Sequence, residues 1–175
     1  MNASKFFLKA ANSLVTAIVA LFLILAAAYS GYALWDNAQV YGAVDDIQFQ
    51  LLKLKPDPEQ KDGGTSFEEL RKINPDVCGW ITLDHTKIDY PILQGEDNLT
   101  YINTDVYGDF ALSGSIFLDS GCDRNFRGKY SLLYGHHMAE HKMFGDLDLY
   151  RKKKFFDKNT TGTPVSYTHL TLPTN

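Results

Sequence analysis

The chain opens on an apolar run. Residues 10–35 carry no charge, and residues 14–28 are almost wholly hydrophobic. About 20 such residues carry a helix across a hydrocarbon core, so residues 10–35 are expected to form a transmembrane anchor. Lys5 and Lys9 precede the run and Asp36 is the first charge after it. Positive charge stays on the cytoplasmic side, which places residues 1–9 inside and everything after the anchor on the extracellular face of the cell membrane. Tyr29, Tyr32 and Trp35 fall near the outer interface. Ala26-Ala27-Ala28 also fits a cleaved signal peptide, but the apolar run continues to Trp35, which favours an uncleaved single-pass anchor.

Beyond the anchor, Val44, Ile47, Leu51 and Leu54 recur at helical spacing with polar residues between them. They predict an amphipathic helix that ends before Pro56. KPDPEQKDGGTS (55–66) is a linker by composition. Ser66 and Glu69 form a capping box for a short helix, FEELRKI, which Asn74-Pro75 terminates. The pattern then turns to β. CGWITL (78–83) and KIDYPIL (87–93) read as a hairpin. DNLTYINTD (97–105) reads as a helical turn, and GSIFLD (114–119) and KYSLLYG (129–135) as two more strands. MFGDLDLY and RKKKFFD read as short helices. Helices first and short strands after predict a mainly β domain with added helices, either a barrel or an open sheet.

Composition narrows the classes. Among 175 residues, 17 basic and 21 acidic side chains leave a net charge of -4, which gives no reason to expect nucleic acid. The RKKK run at 151–154 reads as a solvated helix face. Two cysteines, Cys78 and Cys122, make no disulfide framework.

The densest chemistry is SLLYGHHMAEHKMFGDL (131–147), with His136, His137, Glu140 and His141 inside six residues. Three readings stand side by side. The histidines are idle surface groups. Alternatively, His137, Glu140 and His141 match H-x-x-E-H, in which two imidazoles on one helix face grip zinc while the glutamate activates water; a third ligand is then still needed. Or His136 acts alone, at the mouth of a strand, as a general acid and base.

NPDVCGWITL, KIDYPILQGEDNLTYINTD, GSIFLD, and LLYGHHM followed by KMFGDLDLYRKKKFF resemble a class B sortase in order and spacing over most of residues 66–163. The resemblance implies a membrane-anchored cysteine transpeptidase on a sortase-type β-barrel with extra N-terminal helices. Such an enzyme cleaves an NPxTN-like sorting signal of a surface protein after its threonine through a thioacyl intermediate. An amine of the cell wall precursor or of a pilin then accepts the product. By resemblance His136, directly after Tyr-Gly, is the catalytic histidine, and Asn98, Ile102 and Tyr134 line the substrate groove. His137 and His141 have no family role, and no cofactor or metal is implied. The family's nucleophilic cysteine and its arginine follow the histidine, and neither is matched here. The chain is therefore expected to divide into residues 1–9, the anchor 10–35, a helix and linker at 36–65, a partial sortase domain at 66–163, and a tail at 164–175. That tail, PVSYTHLTLPTN, resembles translated adaptor sequence. As written the chain is expected to be inactive. A membrane-anchored extracellular binding or scaffold module is the alternative, and a zinc hydrolase using His137, Glu140 and His141 a more distant one.

Overall fold

A computed structural model describes residues 3–57 and 65–166. Helix α1 spans Ala3–Leu52 without a break. The chain divides into two units, residues 1–42 and 43–175. In the first, the α1 side chains are exposed, Phe22, Leu23 and Leu25 among them. The helix is long and apolar enough to cross a membrane, with an 18-residue stretch of mean hydropathy 2.3. The anchor and the amphipathic segment are thus one helix.

In the second unit the last turns of α1 bury Val44 and Leu51. Helix α2 (Thr65–Ile73) buries Phe67 and Leu70 completely. Most of the linker at 58–64, and the Ser66 side chain of the capping box, lie outside the described residues. Strands β1 (Val77–Leu83) and β2 (Asp89–Leu93) form the expected antiparallel hairpin. Its turn places His85 at φ 60°. Strand β3 (Phe117–Leu118) pairs parallel to β2, and β4 (Leu133–Tyr134) antiparallel to β3. Strand β5 (Gly162–Ser166) pairs antiparallel to β1, from Leu83 opposite Gly162 to Gly79 opposite Ser166. Regular structure therefore runs past residue 163; the stretch 167–175 lies outside the described residues. The strand order is β4-β3-β2-β1-β5, and the sheet stays open among the described residues.

Both faces of the sheet are apolar. Ile88, Tyr90 and Ile92 alternate onto one face, where Ile116, Leu118, Met143 and Phe144 join them. Trp80, Leu93 and Phe117 face the other side with Phe67, Leu70 and Leu51. A register shift between Val77 and Gly79 resets the alternation in β1, so Cys78 falls on the first face and Trp80 on the second. Full burial of side chains of this size stabilises by about 1.5–3 kcal/mol each, so these layers, rather than the short strand ladders, hold the fold.

Residues 97–105 form turns, as expected: the Asp97 carboxylate caps the first by accepting the N–H groups of Leu99 and Thr100 at 2.9 and 2.8 Å, and the Ile102 N–H donates to the Leu99 carbonyl at 3.2 Å. Two expectations change. The segments at 114–119 and 129–135 contribute only two strand residues each. β4 has one neighbour in the described sheet, and Tyr130 and Leu132 stay exposed. The short helices after residue 144 are a 3-10 helix (Gly145–Arg151) and a single turn, α3 (Lys153–Phe156).

Candidate active site

Strand β4 ends at Tyr134 and delivers Gly135 and His136 to the mouth of the sheet. Gly135 packs closely on the core: a Cβ there would overlap Ile116 Cδ1 and lie 3.0 Å from Phe144 Cδ2, so a larger residue requires those side chains to shift.

His136 lines an open pocket of about 360 Å³ together with Asn98, Ile102, Phe117, Tyr134 and Gly135. The four residues marked in the sequence, from two segments distant along the chain, thus share one cavity. The rings of Phe117 and Tyr134 pack with centroids 5.3 Å apart. Behind the wall stands the half-buried Asp119, one residue past β3. Its Oδ2 accepts from Asn98 Nδ2 at 2.8 Å and from the Tyr134 hydroxyl at 3.2 Å. Its Oδ1 accepts from the Gly121 N–H at 2.9 Å. Bonds from Gly121 and then Asn98 hold this carboxyl below its usual range, and Asp119 in turn pushes the Tyr134 phenol up. Reading the sequence did not single out Asp119; its only local mark is an acid at a strand end.

The three histidines part company. Among the described residues no hydrogen bond ties the His136 imidazole, which leaves it open to the pocket. His137 Nε2 lies 3.0 Å from Asp148 Oδ2, and both are exposed. His141 Nδ1 bonds to the buried Asp146 carboxylate, whose other oxygen accepts the Lys87 N–H at 2.6 Å. The zinc arrangement of His137, Glu140 and His141 is not formed. It needs a helix, but Glu140, His141 and Met143 adopt φ of 57°, 66° and 50°. A non-helical loop puts the two imidazoles on different partners, and among the described residues no cluster of three metal-ligating groups exists.

Neither cysteine lines the pocket. Both are free thiols. Cys78 is buried, and desolvation pushes its thiol up to about 12, so it supplies almost no thiolate near neutral pH. Cys122 is half-buried against the first apolar face. The arginines are also occupied elsewhere. Arg124 donates to the carbonyls of Pro75 at 2.6 Å and Gln94 at 3.2 Å. Arg127 pairs with Asp123 and Arg151 with Asp148.

The chain is 38% identical over 112 residues to sortase B of Staphylococcus aureus, covering 64% of this chain and 45% of that one. A crystal structure of sortase B from Bacillus anthracis superposes with a TM-score of 0.69 at 29% identity, over 74% of this chain and 63% of that one. A class B sortase of Streptococcus pyogenes involved in pilus biogenesis gives 0.55 at 51% identity, over 58% and 56%. Over the residues matched, the chain is similar to class B sortases in sequence and in fold. No family model matches it. The chain spans about half the length of the curated relatives it matches. Its open sheet is an incomplete form of the sortase barrel.

Proposed function

We propose that this chain carries the histidine and the signal-peptide groove of a sortase held on the outer face of a membrane by α1. The observation that carries the reading is the shared cavity of Asn98, Ile102, Tyr134 and His136. An extended peptide of the NPxTN type lies across Ile102 and Tyr134, with its scissile threonine carbonyl toward His136. His136 protonates the leaving amine and then takes the proton of the incoming one, an amine of cell wall precursor or pilin. The covalent step needs a thiolate at that carbonyl. Cys78 and Cys122 do not provide one, so the 175-residue chain binds the peptide without turning it over.

A second reading, a surface module that binds but never catalyses, is favoured by the same two thiols, which lie away from the pocket. The test is a photo-crosslinking NPxTN-type peptide added to the chain in detergent micelles, with a scrambled peptide as control. Crosslinks at Ile102, Tyr134 or His136 are expected from the first peptide alone. Equal labelling by both peptides defeats the proposal. Cleavage that vanishes in Cys78→Ala or Cys122→Ala defeats the account of the thiols.

A further inference from the structure

Asn98 has both ends of its carboxamide engaged. Ser120 N–H can only donate, so the atom 2.8 Å from it is Asn98 Oδ1. An ionised carboxylate can only accept, so the atom 2.8 Å from Asp119 Oδ2 is Asn98 Nδ2. The two contacts agree, and they leave one N–H of the carboxamide uncommitted. The same carboxylate oxygen receives the Tyr134 hydroxyl proton at 3.2 Å, so the phenol oxygen keeps its lone pairs for another donor. Asp119 itself does not line the pocket, whereas Asn98 and Tyr134 both do.

We propose that Asp119 is a positioning residue that fixes the polarity of the pocket wall, turning Asn98 into a donor and Tyr134 into an acceptor. An extended peptide main chain presents C=O and N–H groups in alternation, and a wall with one donor and one acceptor is complementary to it. Asp119 acts only through these two side chains and touches no reacting atom. Three segments distant in sequence meet at its carboxylate: the turn at 97–102, the end of β3, and β4. The proposal rests on the peptide reading above.

The experiment titrates a fluorescent NPxTN-type peptide into the full 175-residue chain in micelles. Asp119→Asn puts an N–H where both partners need an acceptor. It is expected to weaken binding tenfold or more in the wild-type background, but less than twofold when Asn98→Ala and Tyr134→Phe are both already present. Equal losses in the two backgrounds mean a general structural defect and overturn the proposal. The exchange Asn98→Asp with Asp119→Asn restores the hydrogen bond with donor and acceptor reversed, and Ser120 N–H keeps its acceptor. This double variant is expected to melt like the wild type yet bind tenfold more weakly, since no N–H remains on the wall. It serves equally if the single variant fails to fold, and wild-type affinity from it overturns the proposal. A peptide-independent readout separates the two layers. The Tyr134 phenol, assigned in carbon-13 tyrosine spectra by its loss in Tyr134→Phe, is expected to titrate at lower pH once residue 119 is no longer a carboxylate. A wild-type chain that binds no peptide but shows this fall defeats the sorting-signal reading and upholds Asp119. An unmoved Tyr134 overturns the role of Asp119 itself.

Discussion

The backbone N–H of Phe144 donates to the carbonyl of His136 at 2.9 Å. The bond closes the base of a loop whose middle takes three left-handed residues, Glu140, His141 and Met143. Met143 is buried and its N–H donates to the Tyr90 hydroxyl at 3.0 Å. The histidine is therefore held by a pinned loop over the core, not by a helix.

Gly135→Ala is expected to destabilise the domain by about 1–3 kcal/mol, the usual cost of overpacking a filled interior. The added methyl meets Ile116 and Phe144, which belong to the first apolar face. Chemical denaturation measures it, and an unchanged midpoint contradicts the packing described.

Asp146→Ala is expected to cost about 1–3 kcal/mol, because the Lys87 N–H loses its acceptor in a part-buried setting. His141→Ala removes only the exposed half of its pair with Asp146, and is expected to cost less than about 1 kcal/mol. Comparing the two denaturation curves checks the order; a larger loss from His141→Ala reverses it.

Alkaline pH probes Cys78. Its thiol is pushed from 9.0 to about 12 by burial. The unfolded thiol ionises first, so this group leaves stability flat below pH 9 and erodes it as pH rises toward 12. The erosion is on the order of tenfold in the folding constant per pH unit. Tyr90 and Tyr101, raised from 10.0 to about 12 by burial, act in the same direction from pH 10. Between pH 9 and 10 the wild type is expected to lose stability faster than Cys78→Ala. Parallel curves count against a buried thiol.

Much of the site was legible because its chemistry is local in sequence. LLYGHH carries a strand, a glycine and a histidine in one stretch, and NLTYI carries two wall residues. Asp119 was not legible, since its role exists only where three distant segments meet. The H-x-x-E-H spacing, kept as a distant alternative, shows which residues would share a helix face, but not that the segment is a loop with left-handed residues and with Met143 and Phe144 in the core. The strands at 114–119 and 129–135 were over-read because apolar composition does not reveal how many neighbours a strand has.

Zinc makes a direct check. A saturating addition to the chain is expected to leave the melting temperature unchanged, as is a chelator, because His137 and His141 answer to Asp148 and Asp146. A stabilisation lost in both His137→Ala and His141→Ala revives the metal reading.

Topology follows from Lys5 and Lys9 ahead of the apolar run. Protease added to intact cells is expected to digest residues 40–163. Their protection places the domain on the other side.

The position of β1 between β2 and β5 has a consequence for synthesis. A hairpin such as β1–β2 forms in about 1–10 μs once its residues are free. β5 begins at Gly162, well after β1 ends at Leu83. At about 5–20 residues per second, roughly 4 to 16 seconds of translation separate the two strands. Throughout that interval β1 presents an unpaired edge beside a nascent apolar face, a ready template for pairing with another chain. The duration of that hazard is set by the pace of the ribosome, not by how fast the domain itself folds.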